Sequence, residues 1–75
     1  MKHDEQKQQK TNLGAALRDW RKEHGYSQES LAQELQVSLY TIRNIEQGRT
    51  QVSRMMRRLV ELYCKVKRIG KPDGW

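Results

Sequence analysis

The chain has 75 residues, a formal net charge of +6, 35% hydrophobic and 32% charged residues, and a pI near 9.8. That length allows one small domain, with few core positions to spare for an enzyme site. The charge points to a polyanionic partner, and no apolar run approaches membrane-spanning length.

Residues 1–12, MKHDEQKQQKTN, hold no large apolar side chain after Met1 and read as a flexible arm. Thr11 or Asn12 can cap the first helix, predicted from Leu13 to about His24. Leu13, Ala16, Leu17 and Trp20 recur at helical spacing and make its buried face. Gly25 ends it in left-handed backbone. Ser27 caps a second helix, Glu29 suits the positive end of its dipole, and Leu31, Ala32 and Leu35 point inward. After the turn Gln36-Val37-Ser38, Ser38 caps a third helix, Leu39 to about Gln47, anchored by Ile42 and Ile45 and stopped by Gly48.

The loop Arg49-Thr50-Gln51-Val52 leads to a fourth helix, about Ser53 to Cys64, with Met55, Met56, Leu59, Val60, Leu62 and Tyr63 on its apolar side. The methionines read as core filler and Cys64 as buried. Gly70, Pro72 and Gly74 argue against a further helix, and the alternation over 64–69 permits a short strand. The expected organisation is an all-α domain over 13–66, preceded by the arm at 1–12 and followed by a basic tail at 67–75. Segment 54–75 carries Arg54, Arg57, Arg58, Lys65, Lys67, Arg68 and Lys71 against Glu61 and Asp73. A single cysteine excludes an intrachain disulfide, and with two scattered histidines it makes no metal site. No signal-peptide pattern is visible, so a cytoplasmic location is expected.

Helices two and three, with their tight turn, have the layout of a helix-turn-helix DNA reader. Opposite Ile42 and Ile45, the third helix carries Tyr40, Arg43, Asn44 and Gln47 on one stripe. Alone, such a stripe is an ordinary solvated face; beside a helix-turn unit and a basic flank it is a reading face. Arg43 can donate two hydrogen bonds to guanine, Asn44 can pair with adenine, and Tyr40 can touch a thymine methyl. Leu39 and Thr41 add apolar contacts in the first turn. Phosphate contacts are expected at Ser27 and Gln28, where helix two opens, at Ser38, where helix three opens, and at Arg49, Thr50 and Arg54.

The text LGAALRDWRKEHGYSQESLAQELQVSLYTIRNIEQGRT, residues 13–50, resembles the phage lambda repressor and Cro-like (Xre) helix-turn-helix family. The most specific pieces are G-Y-S-Q-E-S-L-A at 25–32, V-S-x-x-T-I-x-x-I-E-x-G at 37–48, and Arg49. The resemblance implies a compact bundle of four to five helices that binds operator DNA as a homodimer. By position, Gln28 matches a glutamine that contacts the DNA backbone and braces the recognition helix. Leu39, Tyr40, Arg43 and Asn44 match base-facing positions, and Arg49 and Thr50 match phosphate-touching loop residues. Arg21 and Glu46 match a structural ion pair. Three features depart from the pattern. Gln36 replaces a turn glycine, so it either takes left-handed backbone at a penalty of roughly 1 kcal/mol or alters the turn. Val52 replaces a proline, and the fifth helix is short or missing.

The function expected is a sequence-specific double-stranded DNA-binding transcriptional regulator. It would be a dimeric (auto)repressor reading an inverted-repeat operator through residues 39–47, with no cofactor, small-molecule ligand or membrane partner. The alternative is an antitoxin or partner-binding module of a toxin-antitoxin or mobile-element operon that also binds its own promoter. RNA binding fits less well, because no aromatic stacking platform is visible. No nucleophile-base pair, carboxylate pair or phosphate loop suggests an enzyme.

Overall fold

A polar cap opens every helix of the computed structural model, which describes residues 12–75. Residues 1–11 of the expected arm, Thr11 included, lie outside the described residues. Asn12 Oδ1 accepts from Ala15 N at 3.0 Å and starts α1, Leu13–Glu23. Ser27 starts α2, Gln28–Leu35, through a reciprocal box in which each of Ser27 and Ser30 caps the other's backbone N–H. Ser38 Oγ accepts from Thr41 N at 3.1 Å and starts α3, Leu39–Glu46. Ser53 Oγ accepts from Met56 N at 3.1 Å and starts α4, Arg54–Lys67. Each such cap satisfies a backbone donor that the helix itself cannot, and is worth about 1 kcal/mol.

The four helices also end alike. Gly25, Gln36, Gly48 and Arg68 all have positive φ, and after each the next N–H reaches back to a carbonyl five residues earlier, as Val37 does to Ala32 at 2.9 Å. This is the Schellman closure. Gln36, at φ 59 and ψ 43, takes the left-handed backbone, so the turn keeps its shape without a glycine. Arg68 at φ 60 ends α4 one turn later than the predicted Cys64. Residues 65–67 are therefore helical, and among the described residues no strand forms. An arginine carries no stop signal, so the sequence pattern did not locate this end.

One side chain from each helix is fully buried: Leu17, Leu31, Ile42 and Val60. Trp20, Ala32, Leu35, Ile45, Met56 and Cys64 complete the core. Met55 and Leu62 were expected among these, but they are exposed, because the other helices cover only the side of α4 that carries Met56, Val60 and Cys64. Burial pushes the Cys64 thiol above its ordinary pKa, against the opposing charge of Lys71. α1 and α3 approach closely at Gly14, where an added Cβ would overlap the Ile45 carbonyl oxygen.

The residues after α4 fold back against α1. Trp20 Nε1 donates to Gly70 O at 2.7 Å, and Trp75 Nε1 donates to Leu13 O at 3.0 Å. Pro72 is buried, and Ile69 and Trp75 pack against the core. On the other side of Trp20, the hydroxyls of Tyr26 and Tyr63 are hydrogen-bonded, joining the α1–α2 connection to α4. Desolvation first, then the Tyr26 bond and the negative charge of Glu34, holds the Tyr63 phenol above its ordinary pKa. Among the described residues the architecture is four helices, with no fifth helix.

Candidate nucleic-acid interface

Glu46, the last residue of α3, joins three elements. Its carboxylate accepts from Arg21 Nε at 2.7 Å and Arg21 Nη2 at 3.0 Å. It also accepts from Gln28 Nε2 at 3.0 Å. Arg21 Nη1 donates to Tyr26 O at 3.0 Å, so the guanidinium, carried by α1, is held by α3 on one side and by the α1–α2 connection on the other. Arg21 is only 7% exposed. A charge removed from water to that degree needs a close opposite charge and filled hydrogen bonds, and no buried side-chain N or O among the described residues lacks a partner. The network fixes the first residue of α2 against the end of α3.

With its inner side pinned by Ile42 and Ile45, α3 turns the opposite side to solvent. Tyr40 is 72% exposed, and Arg43 and Gln47 are exposed as well. Leu39, Thr41 and Asn44 are half-buried at the edges of this face. The Thr41 hydroxyl is 2.8 Å from Ser38 Oγ, so both are committed to each other and to the cap. Gln47 is the C-terminal cap of α3 rather than its last helical residue.

The expected phosphate residues surround this face in sequence and are mostly open. Ser27, Ser38, Arg49, Thr50 and Arg54 are exposed, while Gln28 is half-buried with its amide on Glu46. Arg54 is the first residue of α4, across the loop from Arg49. Arg57 belongs to the basic segment 54–75 but is not among the phosphate residues expected individually. It lines a hollow of about 420 Å³ with Thr50, Gln51 and the start of α1 at Asn12 and Leu13. Its charge is the one signal in the sequence; only the fold brings it to the same hollow as residues 50–52.

Among the described residues, no group of three His, Cys, Asp or Glu side chains is placed to hold a metal ion, and no helix is long and apolar enough to cross a membrane. The arrangement therefore offers an open polar helix face with basic and hydroxyl groups around it. Chemically, that suits hydrogen bonding to a grooved polyanion.

No curated protein and no solved structure gives a significant match. A family model described as a helix-turn-helix domain matches residues 12–65. That span contains all four capped helix starts and the Arg21–Gln28–Glu46 network, and it covers well over half of the chain. The chain belongs to the helix-turn-helix domain family.

Proposed function

We propose that this protein is a transcriptional regulator of the lambda repressor and Cro-like (Xre) type, which binds double-stranded DNA sequence-specifically in the cytoplasm. It acts as a homodimeric repressor, reading an inverted-repeat operator through α3. The observation that carries this reading is the tie of Gln28 and Arg21 to Glu46. It holds α2 rigidly across α3 while the opposite face of α3 stays open.

An α-helix fits the major groove of B-DNA. With α3 seated there, Arg43 donates two hydrogen bonds to guanine O6 and N7, and Asn44 pairs with an adenine edge. Tyr40 packs on a thymine methyl or bonds a phosphate. Leu39 and Thr41 add apolar contacts, and Gln47 reaches the far end of the face. The backbone is held by Ser27 and Gln28 at the N-terminus of α2, by Ser38, and by Arg49, Thr50 and Arg54. Arg57 extends that set, since it lines the same hollow as Thr50. Arg21 and Glu46 contact no DNA; they set the angle of the reading helix. Occupation of the operator excludes polymerase, and no ligand is required.

The test is selection of bound sequences from a random double-stranded DNA pool at physiological salt. The expected result is an enriched inverted repeat with half-site centres about one helical turn apart. Salt-sensitive bulk binding with no enriched sequence would reject the operator reading.

A further inference from the structure

Among the described residues, three of the four large apolar side chains left exposed stand on α4: Met55 at 72%, Leu62 at 45% and Val66 at 78%. With half-buried Leu59 they follow the positions 55, 59, 62 and 66. At about 100° per residue these form one straight stripe. It lies beside the buried line of Met56, Val60 and Cys64 and continues into a shallow groove. The far wall of that groove is the end of α2, with Glu34 and Gln36 across from Leu59, Leu62 and Val66. We propose that a second copy of this chain docks on this face, its α4 running parallel to the first about a two-fold axis.

The spacing of four, three and four places Leu59 and Val66 at the a positions, and Met55 and Leu62 at the d positions, of a parallel helix pair. Arg58 and Lys65, each immediately before an a residue, then occupy g positions, on the edge of the stripe away from α2. The α2 edge carries Glu34. A two-fold axis along the helices sets the α2 edge of each copy against the opposite edge of the other. Glu34 then meets Arg58 and Lys65 of the second copy, and the same contact occurs twice. Antiparallel docking would instead set each basic edge against its own like. Charge complementarity thus selects both the occupant and its direction. Residues 69–75 lie against α1 and the core instead of this face.

This interface deepens the operator reading and rests on it for its role, since an inverted repeat needs two reading helices related by a two-fold axis. Four stripe positions make a small contact, so association in the micromolar range is expected. Sedimentation equilibrium of the full chain without DNA, from micromolar to millimolar protein, tests it. A reversible monomer–dimer equilibrium is expected. Met55→Glu and Val66→Glu should each weaken it about tenfold or more, with helical circular dichroism unchanged, and with melting unchanged in protein dilute enough to be monomeric, because both side chains are exposed. Glu34→Arg alone, and Arg58→Glu with Lys65→Glu, should each weaken it, and combining them should restore most of the loss. A monomer at millimolar protein, a dimer indifferent to the stripe variants, or charge variants without rescue would overturn the inference. Those results concern the dimer alone; DNA reading by α3 is judged separately, by enrichment of a sequence from the random duplex pool. A normal dimer that enriches no DNA sequence would instead overturn the operator reading alone.

Discussion

Arg21 in α1 and Glu46 at the end of α3 stand 25 residues apart in the chain and close a two-pronged ion pair at 2.7 and 3.0 Å. Their side chains keep only 9% and 3% of their surface exposed. The pair is more than a clasp, because Gln28 at the start of α2 shares the same carboxylate. One acid with a buried side chain therefore registers α1, α2 and α3.

Removing that acid strands the arginine. Glu46→Ala should lower stability by about 3 kcal/mol or more, because a buried guanidinium loses its counter-charge. Replacing both partners together, Arg21→Met with Glu46→Leu, should cost less than Glu46→Ala alone, since no unpaired charge remains. Urea unfolding followed by circular dichroism measures both, and a double variant worse than the single would contradict the account.

Gly14 should resist even the smallest side chain. Alanine favours a helix over glycine by about 1 kcal/mol, so an open site would gain from Gly14→Ala. Here the new methyl overlaps the Ile45 carbonyl oxygen, which belongs to backbone and cannot rotate away. Separating α1 from α3 should cost about 1–3 kcal/mol, and the clash should win. Thermal melting gives the sign directly.

At Gln36 the balance runs the other way. Left-handed backbone costs a non-glycine residue about 1–2 kcal/mol, while glycine brings extra freedom to the unfolded chain worth about 0.5–1 kcal/mol. Gln36 is exposed and caps α2 at φ 59. The difference, roughly 0.75 kcal/mol, means that Gln36→Gly should raise the melting temperature of a domain this small by about 3–6 °C. A lower melting temperature would mean that the glutamine side chain contributes more than its backbone costs.

The two arginines around α3 should fail differently on DNA. Arg43→Ala should lose about 1–3 kcal/mol of discrimination at one base position per half-site and leave other positions alone. Arg49→Ala should weaken binding on all sequences and reduce the slope of log affinity against log salt by about 1. Titrations of each variant against operator and scrambled duplexes at several salt concentrations separate the two. Unchanged base preference in Arg43→Ala would remove that residue from the reading face.

What the sequence by itself determined is local. Asn12, one of two candidates, with Ser27 and Ser38 stand before apolar periods and cap the helices, Ser53, read as the first residue of its helix, is its cap, and Gly25 and Gly48 supply the left-handed stops. Leu17, Leu31, Ile42 and Val60 fall on predicted inner faces and are buried, because period and polarity act within a few residues of chain. The open side of α3 follows from the same period, once Ile42 and Ile45 are known to point inward. Other features needed the three-dimensional packing. Arg68 ends α4 and lets the chain return, so that Gly70 meets Trp20 and Trp75 meets Leu13. Gly14 looks like a weak helix residue until Ile45 is laid against it. Arg57 looks like any surface charge until the fold brings it to the hollow that Thr50 lines. Met55 and Leu62 look like core, because α4 is apolar around a wide arc and periodicity cannot say which part of that arc the neighbours cover. That choice belongs to the tertiary structure: contacts between residues far apart in the chain decide which apolar surface is buried and which is left for another molecule.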